Sequence, residues 1–352
     1  MGADLVTQLK LKADLQLSGV GGSALAECGL TSLFPMSDLA VMGWRDVYMR
    51  LPLLLFRLQQ TINAIVRSKP DIVVLIDSQE FSNRVAAGVR KRLPNAKIVL
   101  YVAPSVWAWK PERAHQIKPL YDEVLAVLPF EPRILEALDG PPCTYVGHMA
   151  ERVANSAKTS SRNGFLFLPG SRVGEINRNL VEMKAAREWV RSAHPKLLQT
   201  LAAAPGRLDL VSKILQDTQV EIGEGRATFM QFVANAHAAI AVSGTVTLEL
   251  GFGDVPHICT YLAEPKQVKN HEASGRPLIN LNNIIVGRKF VPEVIGISDL
   301  GPEILKETQN LLDNDREMAL QREGFAQMRA KMQNGEPEAP RQNAADRILS
   351  LV

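Results

Sequence analysis

The chain has 352 residues, 46% hydrophobic and 22% charged, an ordinary globular composition with enough apolar residues for two cores. Its formal net charge of +3 is too small to argue for nucleic acid, and an acidic substrate or an anionic membrane surface fits it equally well. Cys28, Cys143 and Cys259 are scattered without metal spacing, which excludes a zinc site and points to a reducing compartment.

No apolar run reaches the roughly 18 residues that span a bilayer. The N-terminus, Met1-Gly2-Ala3-Asp4, lacks the charged-then-apolar build of a signal peptide, so a cytosolic location is expected, with a membrane surface within reach. Residues 2–12 read as a helix, 15–22 as a short strand entering a glycine turn, and 23–28 as a short helix stopped by Gly29. A long helix follows over 46–68. Its start mixes Trp44, Met49, Leu51, Leu53, Leu54, Leu55 and Phe56 with Arg45, Arg50 and Arg57. By residue count such interleaving reads first as a helix packed on a sheet with its arginines outward; the alternative is an interfacial helix on anionic lipid.

Residues 71–76 form a continuous β-branched run of buried-strand type bounded by Pro70 and Asp77. A helix over 81–93 and strands over 97–102, 124–127 and 143–146 complete a first α/β half. Asp77 ends its strand, where a carboxylate can act as a general base or cap the next helix. The run Val102-Ala103-Pro104-Ser105-Val106-Trp107-Ala108-Trp109-Lys110, with Arg113 beyond it, reads as a long loop packed by its own aromatics. The alternative is a substrate-shaping loop whose Lys110 and Arg113 meet an acidic ligand. His148 follows the last strand of this half, as a hinge-lining histidine or as a neighbour of a nucleotide.

Residues 150–163 carry no apolar period and read as a linker. Alternation then restarts, with strands at 165–168, 198–203, 219–222, 238–242 and 256–260. Helices are expected at 175–193, 206–215, 229–235 and 245–251, and at 301–331 and 338–351 to close the chain. The expected domains are thus 1–149, a linker at 150–163, 164–335, and a tail at 336–352 that packs back or is exchanged between subunits. The strand at 165–168 runs into Pro169-Gly170-Ser171-Arg172 with Glu175 beyond. Glycine lets an anion approach the backbone, Ser171 adds a hydroxyl and Arg172 a bidentate donor; the plain alternative is a strand–helix turn. The strand at 238–242 runs into Ser243-Gly244-Thr245, with Glu249 one turn into the following helix, where a carboxylate can take a ribose diol or simply face water. Two such turns in one half point to a nucleotide diphosphate.

In order, Leu39-Ala40-Val41-Met42-Gly43, Ile76-Asp77, the tryptophan loop, Leu128-Pro129-Phe130-Glu131 and Val146-Gly147-His148 are joined by Leu168-Pro169-Gly170-Ser171-Arg172, Ser243-Gly244-Thr245, Leu248-Glu249 and Asn283-Ile284-Ile285-Val286-Gly287-Arg288. As an ordered set they make the chain resemble the lipid-A-disaccharide synthase family over almost its whole length. The resemblance implies a glycosyltransferase-B fold, two Rossmann-like parallel-sheet domains facing across a cleft. It implies an inverting transfer from UDP-2,3-diacylglucosamine to 2,3-diacylglucosamine 1-phosphate (lipid X), without metal or cofactor, at the inner-membrane surface, by a possible homodimer. Asp77 and Arg172 are the implied catalytic residues. The implied UDP-sugar contacts are Gly170, Ser171, Arg172, Ser243, Gly244, Thr245, Glu249, Asn283 and His148. The implied acceptor and acyl side comprises Met42, Trp44, Ser105, Trp107, Trp109, Lys110 and Arg113.

The family opens with an apolar strand and a Gly-Glu-x-Ser-Gly-Asp loop before the helix that here begins near Gly2. The resemblance therefore implies a first sheet one strand short, from a late start codon or a true truncation. Ser78-Gln79-Glu80 after Asp77, Met149 and Asn282 also depart from the family pattern. Two other readings stay open: a different UDP-sugar enzyme of the same fold, such as an epimerase, or a degenerate paralogue that binds without turnover.

Overall fold

The computed structural model describes residues 1–39, 44–155, 162–275 and 277–352, the side chains of 44–47 and 155 excepted. The chain divides into two units, Met1–His148 with Met332–Val352, and Met149–Lys331.

The first unit begins with α1 (Gly2–Lys10), α2 (Ser23–Glu27) and α3 (Trp44–Ser68). Strand and helix then alternate through β1 (Ile72–Ile76), α4 (Gln79–Arg92), β2 (Lys97–Tyr101), α5 (Glu112–Ile117), β3 (Glu123–Ala126), α6 (Glu131–Ala137) and β4 (Cys143–Tyr145). The sheet is parallel throughout, in the order β1-β2-β3-β4. Winding in one direction with right-handed crossovers puts the connecting helices on one face. The core reflects this: Ile98 and Leu100 of β2 and Val124 and Ala126 of β3 pack with Val85 and Val89 of α4, Ile117 of α5 and Leu135 of α6. The α3 helix lies against α4, so close that a β-carbon at Gly88 would stand 2.4 Å from Ile62 Cδ1. Alternate strand positions face the other way. There Glu123 of β3 accepts hydrogen bonds from Arg347 of the chain's tail and from Thr144, each at 2.6 Å.

Residues 15–22 do not form the expected strand. Leu15 and Leu17 alternate with exposed neighbours as a strand would, but the pairing found there is one isolated bridge, Gly19 to Ser32.

The expected linker opens as a 3-10 stretch, Met149–Asn155; residues 156–161 lie outside the described residues. The second unit continues through β5 (Gly164–Leu168), α7 (Val173–Glu182), α8 (Lys184–Ala193), β6 (Leu198–Ala203), α9 (Leu208–Leu215), β7 (Glu221–Glu224), α10 (Arg226–Asn235) and β8 (Ala236–Val242). It closes with α11 (Thr245–Phe252), β9 (His257–Leu262), α12 (Pro265–Ala273), α13 (Leu281–Val286), β10 (Glu293–Gly296), α14 (Gly301–Asp313) and most of α15 (Asp315–Asn334). Its six parallel strands run β10-β9-β8-β5-β6-β7. The strand order reverses between β5 and β8, the crevice position where doubly wound sheets bind ligands beyond their strand ends.

The single helix expected over 301–331 is two, because Asn314 turns extended and its side chain caps the second by accepting from Arg316 N–H at 3.1 Å. The helix expected over 338–351 is a small hairpin, β11 (Gly335–Glu336) with β12 (Ala339–Pro340), followed by α16 (Ala344–Leu349). Asn343 starts α16 by accepting from Ala345 and Asp346 N–H. The tail is tied to the first unit where Gln342 N–H donates to Tyr145 O at 2.9 Å and the Tyr145 hydroxyl donates to Met332 O.

Candidate active site

In the second unit the two glycine turns stand on neighbouring strands. Leu168 is in register with Ala241, so Pro169-Gly170-Ser171-Arg172 leaves β5 beside Ser243-Gly244-Thr245 leaving β8. Each turn feeds a helix N-terminus, α7 and α11, where unpaired N–H groups and the helix dipole favour an anion. Gly170 and Gly244 have φ of 108° and 151°, a backbone that side-chain-bearing residues rarely adopt. The chain fills the first turn with its own anion. One oxygen of Glu175 accepts from Ser171 N–H and Arg172 N–H, both at 3.3 Å, and the other pairs with the Arg172 guanidinium. Three donors suited to a phosphate therefore already converge on a carboxylate.

Ser243 donates its hydroxyl to Ile279 O at 2.9 Å, which ties the second turn to the segment before α13. Glu249 is only 13% exposed and is ion-paired with Arg226. Arg226 also lies 5.2 Å from the centre of the Phe229 ring. Arg207 Nε donates to Ser171 O at 3.4 Å, and its backbone N–H donates to Glu224 at 2.9 Å. Sequence reasoning passed over Arg207 and Arg226. Each directly follows a glycine at positive φ just beyond a strand, Gly206 after β6 and Gly225 after β7, and that pairing was the available signal.

Asn283, expected from the resemblance to contact the UDP-sugar, is engaged within the protein. It is fully buried. Its Nδ2 donates to Val291 O at 2.9 Å and Glu293 at 2.8 Å, and its Oδ1 accepts from Phe290 and Val291 N–H. Every hydrogen-bonding position of the amide is taken, so it clips the turn into β10. Beside it, Asn280 caps α13 through Asn282 N–H and donates to His257 Nε2 at 3.1 Å.

In the first unit the carboxyl end of the sheet is strained. Asp77, Ser78 and Val102 all have positive φ, 52°, 45° and 84°, and the last is costly for a β-branched residue. Asp77 N–H donates to Tyr101 O at 3.0 Å and Ser82 Oγ donates to Asp77 O at 2.7 Å, so the backbone is held while the carboxylate is exposed. Gln79 Nε2 donates to Val102 O at 3.3 Å across the two strand ends. Beyond Val102, Ser105 accepts from the N–H groups of Ala108 and Trp109 and is itself exposed. Trp107 is pinned: its Nε1 donates to Glu131 at 3.4 Å and its ring meets Phe130 edge-on, 5.4 Å between centroids. Glu131 is buried, accepts from Val127 and Leu128 N–H, and has its pKa pushed up to about 7 by that burial. Trp109 and Lys110 are exposed, with the ammonium 5.6 Å from the ring centre. Arg113 pairs with Glu80 at 3.4 Å. His148 is half-buried and desolvation holds its pKa near 4, so it is neutral at physiological pH. Met42 and the Trp44 side chain lie outside the described residues.

Residues 1–346 match the family model described as lipid-A-disaccharide synthetase. A lipid-A-disaccharide synthase of Rhodopseudomonas palustris is 35% identical over 374 aligned positions, covering 100% of this chain and 93% of the relative. One from Rhodospirillum centenum is 34% identical, covering 100% and 91%. Among solved structures, Staphylococcus aureus MnaA with UDP aligns with a TM-score of 0.63 at 15% identity, over 99% of this chain and 93% of that one. A Neisseria meningitidis UDP-GlcNAc 2-epimerase bound to UDP-GlcNAc also gives 0.63, at 11% identity, over 99% and 94%. At such identities the likeness carries the fold alone, which is α/β of glycosyltransferase-B type with two Rossmann-like parallel-sheet domains.

Proposed function

The chain belongs to the lipid-A-disaccharide synthetase family, a glycosyltransferase of lipid A biosynthesis, and from that premise we propose that it moves 2,3-diacylglucosamine from its UDP ester onto the 6-hydroxyl of 2,3-diacylglucosamine 1-phosphate with inversion. The second unit takes the UDP-sugar. What carries this assignment is the pair of glycine turns side by side at the strand-order reversal, each opening a helix. The solved relatives of this fold that hold UDP or UDP-GlcNAc agree with it.

In the reaction, Asp77 takes the proton of the acceptor hydroxyl. The freed oxygen attacks the donor's anomeric carbon from the face opposite UDP. The bond to the diphosphate breaks with its electron pair, and the charge that develops there is met by Arg172 and the N–H groups at the start of α7. Glu175, which occupies those N–H groups, gives way to the diphosphate. Glu249, held by Arg226, accepts from the ribose diol.

Lipid substrates call for access to a membrane. No helix among the described residues is long and apolar enough to cross one. The first half of α3 instead exposes Tyr48, Met49, Leu51, Leu55 and Phe56 beside Arg50, and we assign it to the anionic lipid surface.

The test is UDP release from UDP-diacylglucosamine and lipid X, with the anomeric configuration of the product read by proton NMR. A β-linked disaccharide from the wild type, lost in Asp77→Asn and in Arg172→Ala, is expected. Turnover undiminished in either variant removes that residue from the mechanism, and binding of UDP without product marks a non-catalytic paralogue.

A further inference from the structure

A groove of about 460 Å³ opens on the first unit between the tryptophan loop, residues 106–111, and the outer side of α6. It includes Trp107 and Trp109 on one wall and Ile134 and Leu138 on the other, with Lys110 and Arg133 among its lining. We propose that it holds one acyl chain of the acceptor, with the neighbouring anomeric phosphate between Lys110 and Arg133. This rests on the acceptor assignment above and goes beyond it by naming the groove, the α6 face and Arg133.

Three observations support it. The lining is mostly apolar, with Lys110 and Arg133 as its charged side chains, a composition suited to a hydrocarbon chain rather than to a sugar or a base. The wall is built rather than loose: buried Glu131 fixes the β3–α6 turn through two backbone N–H groups and also takes the Trp107 indole. Such preorganisation lowers the entropy cost of seating a flexible chain. The cations suit a phosphate monoester. Lys110 is exposed, and Arg133 is 66% exposed and ion-paired with Glu336 at 3.3 Å. In the acceptor, the acyl amide at C2 and the phosphate at C1 are neighbours, so one chain in the groove brings its phosphate to the rim.

The experiment measures binding of dodecyl, octyl and butyl phosphate and of inorganic phosphate to the full chain by titration calorimetry. Affinity is expected to fall by up to about fourfold for each methylene removed, the step for a fully buried CH₂. Ala137→Trp, a substitution at an exposed position that fills the groove, should weaken dodecyl phosphate at least tenfold and raise the KM for the lipid acceptor, with UDP binding reporting that the chain is folded. The Lys110→Gln, Arg133→Gln double variant should weaken every phosphate ester by a similar factor and leave the chain-length dependence in place. Equal affinity for dodecyl and inorganic phosphate, or dodecyl phosphate binding untouched by Ala137→Trp, overturns the proposal. If dodecyl phosphate binds as expected and Ala137→Trp blocks it, yet lipid X receives no sugar, the groove stands and the assigned reaction falls.

Discussion

Acid should loosen the second unit selectively, through His257. This imidazole is completely buried. Its Nδ1–H donates to Val255 O at 2.9 Å and its Nε2 accepts from Asn280, an arrangement available only to the neutral ring. Burial lowers its pKa to about 4, against about 6.5 in an unfolded chain. Between those values the unfolded chain binds a proton that the folded one refuses. Stability from this group is therefore complete above about pH 6.5 and is lost as pH falls towards 4, by about 2 kcal/mol between pH 7 and pH 5. His237, desolvated and also lowered, acts in the same direction. In the first unit His148 behaves likewise, but Glu131 opposes it: raised to about 7, its carboxyl is protonated when folded over a range where the unfolded one is charged. Acidification to pH 5 returns about 2 kcal/mol there and offsets the histidine. Native-state hydrogen exchange, corrected for intrinsic rates, should show the β9 amides opening about thirtyfold more at pH 5 than at pH 7. Those of β2 should change far less. His257→Gln keeps an acceptor for Asn280 without a titrating proton, and should flatten the pH dependence of β9. Equal β9 protection at both pH values, or a full slope in the glutamine variant, refutes the reasoning.

Arg172→Ala should weaken UDP binding about ten- to hundredfold, the range for losing charge-assisted hydrogen bonds to phosphate. Because Arg172 is exposed, its melting temperature should barely move; a loss of affinity under threefold would take the diphosphate away from this turn. Asn283→Ala should cost about 3 kcal/mol or more in urea denaturation, since it orphans buried backbone and carboxylate partners. UDP affinity of the folded variant should be unchanged, and a stable variant that has lost UDP would restore Asn283 as a ligand contact. Phe56→Ser and Met49→Ser on α3 should each reduce co-sedimentation with anionic vesicles by about tenfold, the scale for withdrawing a large apolar side chain from lipid. Undiminished co-sedimentation of both would move the membrane face elsewhere.

Most strands were legible because parallel strands covered on both faces are written as unbroken apolar runs, of which Phe165-Leu166-Phe167-Leu168 is typical. Elements missed were those whose local pattern is short or polar. The α12 helix is almost wholly hydrophilic, α13 is six residues opened by buried asparagines, and β10 is four residues. Their positions are set by contacts distant in sequence, such as Glu293 accepting from Ile279 and Asn280 N–H. The tail misled for a related reason. Its apolar spacing is helical, but Gly335 at φ 81° and Pro340 commit the chain to a hairpin before Asn343 can start α16.

The candidate site was legible as turns and not as charges. A strand ending in Pro-Gly-Ser or Ser-Gly-Thr announces a helix N-terminus open to an anion, and both turns lie where the sheet's order reverses. Which arginine pairs with which carboxylate is decided by strands far apart in sequence. Arg226 follows β7 and Glu249 follows β8, two strands on opposite sides of β5 and β6 in the sheet order, yet their side chains meet. Arg207 reaches Ser171 from the end of β6 by the same logic. The consequence is a second unit whose Arg172 and Arg226 are engaged by Glu175 and Glu249, and whose Arg207 guanidinium donates to backbone oxygen. On the proposed reading, a diphosphate displaces Glu175 from Arg172 and from the Ser171 and Arg172 N–H groups rather than filling an unopposed positive pocket. On that reading the exchange keeps Arg172 oriented without ligand, and selectivity depends on the ligand's charge outcompeting a single carboxylate, which a neutral free sugar cannot do.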